Sequence, residues 1–142
     1  MPARKKVLAV IASIAMMTGC AATDSTGTEQ PIAVTPGVYQ MQTVNGVALP
    51  ANVSDGQSPI WVNSGALTLN ADHTYSISVS YQRLIGDTWT PINDSCSGSY
   101  ELTSKSIEFQ ELGSCNGAYA ATVKDGVVTA WLVPNLKVEY KL

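Results

Sequence analysis

The sequence predicts an all-β fold, a small antiparallel up-and-down barrel of about eight strands. Apolar and polar residues alternate with a period of two through most of the chain after Gly37, as in strands with one buried face. Asp125-Gly126 lies between two runs rich in β-branched residues, which is the strongest short signal for a hairpin. No long segment with a helical period follows Gly37. Many short, evenly spaced strands favour a closed barrel or a sandwich.

The clearest pair of strands flanks residues 70–73. An alternating run ends there, and a second run begins with Tyr75 and continues through Ile77, Val79 and Tyr81 on one face, with serines on the other. The link between the two runs is short and polar, so the pair predicts a hairpin. His73 and Asp72 are best interpreted as solvated residues of its turn.

Two further elements complete the predicted barrel. Residues 103–105 separate two strand signals in which Tyr100 faces Phe109, and this pattern predicts another hairpin. Residues 136–142 alternate between apolar and charged side chains, so they predict a last strand that pairs with the first. Residues 88–93, which include Trp89, are interpreted as a loop or a strand end.

Tyrosines recur near the predicted strand starts. Tyr39, Tyr100 and Tyr119 each follow a glycine by two residues, and Tyr75 lies two residues after His73. Such tyrosines are expected to plug one end of the barrel, with their hydroxyl groups hydrogen-bonded. The alternative is that tyrosine simply favours strands.

The N-terminus resembles a bacterial export signal. Residues 4–6 are basic and residues 7–17 are apolar, a run shorter than the roughly 20 residues of a membrane-spanning helix. The Met-Thr-Gly-Cys sequence at 17–20 resembles the lipobox of bacterial lipoproteins, in which the cysteine becomes the lipidated N-terminus. The resemblance implies lipidation of Cys20. The alternative is a secretory signal cut at an A-x-A-like site.

This resemblance implies three regions: a lipoprotein signal peptide over 1–19, a lipidated cysteine with a flexible tether over 20–36, and the barrel domain over 37–142. The tether is polar and lacks an apolar period, as disordered segments do. The implied location is the outer membrane, facing the periplasm, or the cell surface. Ala21 is consistent with it, because aspartate at that position would resemble an inner-membrane retention signal. The resemblance also implies that the protein is attached to the membrane through its lipid anchor.

The remaining cysteines suit an oxidising compartment. With Cys20 lipidated, Cys96 and Cys115 are left to form a disulfide. The alternative is two buried free thiols. A metal site is not expected, because His73 is the only histidine, and no cofactor motif is present.

The charge of the processed chain argues against a nucleic-acid partner. Three of the eight basic residues lie in the predicted signal peptide, which leaves five against eleven acidic residues. The motifs of hydrolases, metalloenzymes and dinucleotide-binding enzymes are missing, so we expect a protein that is not an enzyme.

Three segments resemble bacterial lipocalin-like domains. Residues 37–50 are similar to a G-x-Y-x-L-x-x-x-N-G-x-x-L-P run, residues 64–75 to G-x-L-x-L-x-x-D-G-T-Y, and residues 97–109 to a later G-x-Y-x-L and I-x-F pair. The resemblance implies a calycin-type barrel and carries no catalytic or binding residues. A resemblance to lysozyme-inhibiting lipoproteins is weaker, because their S-G-x-x-Y motif is not met.

Candidate binding residues are aromatic: Trp61, Trp89, Trp131 and Tyr75. Trp61 and Trp89 lie in loop-rich stretches, where they are expected at the mouth of the barrel. Two functions follow. In one, the barrel carries a small apolar ligand; in the other, a filled barrel binds an envelope protein through its surface, for example as an inhibitor of a hydrolase. A cavity lined by Tyr75 and its neighbours would favour the first, and exposed tryptophans on a closed core the second.

Overall fold

A computed structural model describes residues 29–111, 120–133 and 136–142. Within these residues the chain is all β, without a helix. The predicted signal peptide, Cys20, Cys115 and Tyr119 lie outside the described residues. The strands are β1 (Gly37–Val44), β2 (Val47–Ala48), β3 (Ala51–Ser54), β4 (Pro59–Leu69), β5 (Thr74–Ile85), β6 (Thr88–Leu102), β7 (Ile107–Glu111), β8 (Ala120–Lys124), β9 (Val127–Val133) and β10 (Leu136–Lys141).

Eight of these strands close into an antiparallel barrel, as the sequence predicts. Neighbouring strands follow the order β1-β10-β9-β8-β7-β6-β5-β4, and β4 pairs back with β1. The last strand joins the first through pairs such as Met41 with Tyr140, and β1 meets β4 through pairs such as Tyr39 with Leu67. The predicted pairing of Tyr100 with Phe109 is also present.

Two short strands fill a gap in the barrel wall and go beyond the prediction. The first half of β1 pairs with the end of β4, but the second half pairs with β2 instead. β3 pairs with the beginning of β4, where Ala51 lies opposite Val62. The two halves of β4 therefore have different neighbours, and β2 and β3 occupy the wedge between β1 and β4.

The barrel has two ends, which we call the base and the rim. The base carries the turns at 70–73 and 103–106, and the rim carries the turns at 45–46 and 86–87. Ile32 and Val34 pack partly buried against the core, and the Ile32 amide donates to the Thr103 carbonyl oxygen at 2.7 Å. Residues that the sequence assigns to the tether therefore contact the base.

Two of the four predicted tyrosines, Tyr39 and Tyr100, lie at the base with hydrogen-bonded hydroxyl groups, as the sequence predicts. The Tyr39 hydroxyl donates to the Thr35 carbonyl oxygen at 2.6 Å, and the Tyr100 hydroxyl donates to the Asn70 carbonyl oxygen at 2.8 Å. His73 is in the turn at 70–73 with φ +64°, a left-handed conformation that glycine adopts more easily. Its ring stacks on that of Tyr100, with the centroids 5.1 Å apart.

The interior is packed with apolar side chains from all eight barrel strands. Tyr75 packs against Phe109 with the ring centroids 4.6 Å apart, and Tyr140 is fully buried. The largest fully buried side chains are Tyr75, Tyr140, Leu67, Leu69, Ile107, Val44, Val128 and Val138. Such packing of one sheet face against itself supplies most of the hydrophobic stabilisation of a small barrel.

The β5–β6 hairpin corrects one sequence interpretation. Residues 88–93 are the first part of a fifteen-residue strand, not a loop or a strand end, and Trp89 lies within it. The turn at Gly86 and Asp87 has two residues, with Gly86 at φ +61°, as in a type II′ hairpin turn. Because β5 and β6 pair without a break up to Ile85 and Thr88, the strands run continuously to the rim.

Candidate functional site

The four predicted binding residues lie in different surroundings. Tyr75 is in the core and only 2% exposed, so it contributes to packing there. Trp131 is 51% exposed on β9, beside Lys137 of β10. Trp61 is 38% and Trp89 40% exposed, and both are on strands rather than in loops.

Trp61 and Trp89 share the outer surface of the barrel near the rim. Trp61 of β4 lies opposite Gln82 of β5, and Gln82 lies opposite Pro91 of β6. Trp89 is two residues from Pro91 on the same face and lies opposite Leu84. Two strand spacings and two residues along a strand separate the tryptophan Cα atoms by about 12 Å. The structure therefore brings these two tryptophans together and leaves Trp131 two strands beyond β1.

The outer surface that continues from the tryptophans towards the base is uncharged as far as Ser97, and Glu101 lies beyond it on β6. We call the uncharged part the neutral face and define it as Trp61 of β4 with the outward side chains of β5 from Ser76 to Leu84 and those of β6 from Trp89 to Ser97. Its members beyond Trp61 are Ser76, Ser78, Ser80, Gln82 and Leu84 on β5, and Trp89, Pro91, Asn93, Ser95 and Ser97 on β6. They stand in rows across the two strands, since each residue of β5 faces one of β6.

The polar side chains of the neutral face are not engaged by the described part of the chain. No hydrogen bond joins Gln82, Asn93, Ser78 or Ser95 through its side chain to another described residue. Asn93, Ser78 and Ser95 are exposed, and Gln82 is half-buried. Their hydroxyl and amide groups therefore present both donors and acceptors to solvent.

The local sequence explains why this face is polar. Along β5 the inward positions carry Tyr75, Ile77 and Val79, so the period of two leaves serine at every second position. A bulge in β4 between Val62 and Ser64 shifts the register there. A bulge locally increases the twist and re-aims the neighbouring side chains, of which Trp61 is one.

A second polar cluster lies on the inner side of the hairpin at the rim. The Arg83 guanidinium donates to Asp55 Oδ2 at 2.6 Å, and the Tyr81 hydroxyl donates to Asp94 Oδ2 at 2.8 Å. Burial and then the hydrogen bond to Asp94 raise the pKa of Tyr81. The cluster ties the hairpin to the loop that connects β3 and β4.

Asp55 is held in its charged form. Burial alone would raise its pKa, but the amides of Ser58 and Gln57 donate to its carboxylate at 3.0 and 2.9 Å, and Arg83 lies beside it. The net effect is a pKa of Asp55 below its usual value. Asp55 is the more buried partner of this ion pair, since its side chain is 8% exposed and that of Arg83 is 32% exposed.

Other chemistry is sparse in the described residues. Residues 29–111, 120–133 and 136–142 contain no group of three or more His, Cys, Asp or Glu side chains that could hold a metal ion. In the same ranges, no helix has the length and apolar character needed to cross a membrane. Cys96 is half-buried on β6 beside the core, and the predicted disulfide stays a prediction because Cys115 lies outside the described residues.

The sequence singles out the tryptophans but not the amides and serines beside them. The serine alternation on β5 indicates which face of the strand is buried, and by itself indicates no binding surface. The missing signal is the Gly86-Asp87 turn, because a two-residue glycine turn between long runs places Gln82 and Asn93 on the same surface.

No family model, curated protein or solved structure matches this chain.

Proposed function

We propose that this protein is a lipid-anchored envelope lipoprotein whose calycin-type, lipocalin-like barrel is a non-catalytic binding module. In this proposal the barrel binds a component of the envelope through the surface at Trp61 and Trp89. The observation that carries the proposal is the clustering of these two exposed tryptophans on one outer face of a barrel with a packed core.

Burial supports surface binding over transport of an apolar ligand in the interior. Of the residues expected to line a ligand cavity, Tyr75, Ile77 and Leu67 are less than 5% exposed and belong to one apolar cluster, and Val79 is half-buried and packs against that cluster. Exposed tryptophans, by contrast, offer large rigid apolar area and an N–H donor at little entropic cost, which is why they are frequent in binding surfaces.

The position of the N-terminal segment supports the orientation that binding requires. Residues 29–36 meet the barrel at its base, the end from which the chain leads back towards Cys20. The tryptophans lie near the rim. The anchored end of the chain and the tryptophans are therefore attached to opposite ends of the barrel, which suits a module that is tethered at one end and binds at the other.

Sedimentation with isolated cell envelopes tests the binding proposal. The full chain, in mild detergent, is expected to sediment with the envelopes, and Trp61→Ala and Trp89→Ala should each reduce the bound fraction. Trp131→Ala is the matched control, because Trp131 is more exposed than either but lies on another part of the barrel. Equal loss in all three variants, or no sedimentation of the parent chain, would overturn the proposal.

Fractionation tests the anchor. Cys20→Ser should block lipidation and move the protein from the membrane fraction to the soluble fraction, since two or more acyl chains are needed for stable attachment. The parent chain is the control. Normal processing and continued membrane association of the variant would show that Cys20 is not the anchor.

A further inference from the structure

The neutral face contrasts in charge with the outer side of β10. Charged side chains alternate along the outer side of β10, at Lys137, Glu139 and Lys141. The outward side chains of β6 from Trp89 to Ser97 carry no charge, and Asp94 within this stretch lies on the inner side, where it accepts from Tyr81. A nucleic acid or a strongly charged protein would find no complementary charges there, so the occupant is uncharged.

The spacing of the polar groups suits an extended polymer. Ser80 faces Asn93, and Ser78 faces Ser95, so polar groups recur across the strands at about 5 Å and along each strand at about 7 Å. From the row of Trp89 to the row of Ser97 the face is about 27 Å long. A compact ligand would touch one part of it, whereas a chain with repeated hydroxyl groups can use every row.

The tryptophans indicate which kind of polymer this is. A sugar ring has an apolar C–H face and a rim of hydroxyl groups, so it can stack on an indole ring and form hydrogen bonds at its edge. At the rim, the Gln82 amide lies between Trp61 and the strand of Trp89, and Asn93 follows on β6. Aromatic faces bordered by uncharged amide and hydroxyl groups are the combination that a neutral polysaccharide requires.

We propose that the neutral face binds the neutral glycan backbone of the cell wall, a polymer of N-acetylated amino sugars, with Trp61 and Trp89 stacked on its rings. The glycan runs along β5 and β6 from the rim, and the amides of Gln82 and Asn93 pair with its acetamido and hydroxyl groups. This inference rests on the envelope location and surface binding proposed above and adds the identity of the component that is bound.

Titration with a β-linked hexamer of N-acetylglucosamine tests the inference. The purified full chain should bind the hexamer, and Trp61→Ala or Trp89→Ala should weaken binding up to about tenfold each, the effect of one aromatic contact. Ser95→Lys places a long charged side chain in the middle of the face and should weaken binding while both tryptophans remain. Thr122→Lys, on an exposed position of β8, is its matched control, and Trp131→Ala is the control for the tryptophans.

The outcomes separate the glycan from the more general binding proposal. Loss of hexamer binding in the Trp61, Trp89 and Ser95 variants, with thermal melts like that of the parent, would support the inference. Absence of hexamer binding, or equal binding by all variants, would overturn it. If the chain then still sedimented with envelopes in a Trp61- and Trp89-dependent manner, the binding proposal would stand and its target would be a protein or a lipid.

Discussion

Tyr140 has a buried hydroxyl group without a hydrogen-bond partner among the described residues. The side chain is fully buried on β10, between Met41 of β1 and Val128 of β9, and burial raises the pKa of its hydroxyl group. An unsatisfied buried polar group costs about 1–3 kcal/mol. The Tyr140 ring therefore contributes to packing while its hydroxyl group opposes folding.

Tyr140→Phe should consequently leave the free energy of unfolding unchanged or raise it by about 1 kcal/mol. Tyr100→Phe is the matched control, because it removes a hydroxyl group that donates to Asn70, and it should lower the free energy by about 1 kcal/mol. Chemical denaturation measures both. A loss in Tyr140→Phe as large as that in Tyr100→Phe would show that the Tyr140 hydroxyl is hydrogen-bonded in solution.

Asp55 makes stability depend on pH. Its folded pKa is below the unfolded value, so its contribution is present above about pH 4 and is lost as the pH falls through the folded pKa. Asp55→Asn should lower the free energy of unfolding at pH 7 by about 2 kcal/mol, since a charged hydrogen bond to Arg83 is lost. The deficit should shrink as the pH is lowered below 4.

Thermal melts between pH 7 and pH 3 measure this effect. Asp87→Asn, in the exposed turn of the same hairpin, is the control and should follow the parent chain throughout. A deficit in Asp55→Asn that is constant with pH would contradict a role for the ionised carboxylate.

At the scale of strands, the close pairing of β5, β6 and β7 depends on Gly98, which has no side chain. A Cβ atom at Gly98 would collide with the backbone oxygen of Gln110 and lie 2.9 Å from Tyr75 Cε1. Gly98→Ala should therefore lower the free energy of unfolding by about 1–3 kcal/mol, the usual effect of overpacking. Ser97→Ala, one residue away on the outer face, is the control and should be nearly neutral in denaturation. Equal stability of the two variants would mean that β7 shifts without cost.

The hairpin of β6 and β7 contains Cys96, the first cysteine of the predicted disulfide. The register of β6 with β7 agrees with the sequence prediction, and Cys96 lies beside the core on β6. We expect Cys96 and Cys115 to be bonded, which would stabilise the domain by about 3 kcal/mol in the chain-entropy model. Intact mass after alkylation of the folded protein, with and without reductant, measures the pairing. Alkylation of both thiols without reductant would contradict it.

The sequence predicts individual hairpins better than it predicts how far strands extend and which strands lie side by side. Alternation at Tyr75 and Ile77, and the turn at Asp125-Gly126, are local signals, and the structure confirms both. The sequence does not predict the full length of the β5–β6 hairpin, because its inner face becomes polar at the rim, where Arg83 and Asp94 stand at inward positions. Alternation then no longer distinguishes a strand from a loop.

The candidate site could be predicted only in part for a related reason. Exposed tryptophans are conspicuous in a sequence, but their grouping depends on which strands are adjacent. Trp61 and Trp89 lie on one surface because β4 and β6 both flank β5, whereas Trp131 has Lys137 as its neighbour. Serines such as Ser78 gain significance only once the face that they share is known to be uncharged.

At the scale of the whole molecule, the two ends of the barrel have different properties. The base is closed by tyrosines and by the N-terminal segment with Ile32, which leads back towards the predicted lipid anchor. The tryptophan end of the neutral face lies at the opposite end of the barrel. In the proposed function the outer surface binds, because the interior is packed with apolar side chains.

The indole N–H signals of the three tryptophans test this account most directly in one NMR spectrum. We predict that fragments released from isolated envelopes shift the signals of Trp61 and Trp89, while those of Trp131 and of core methyl groups such as that of Ile77 stay unchanged. Shifts in the core methyl groups with unmoved indole signals would place the ligand inside the barrel and contradict the account.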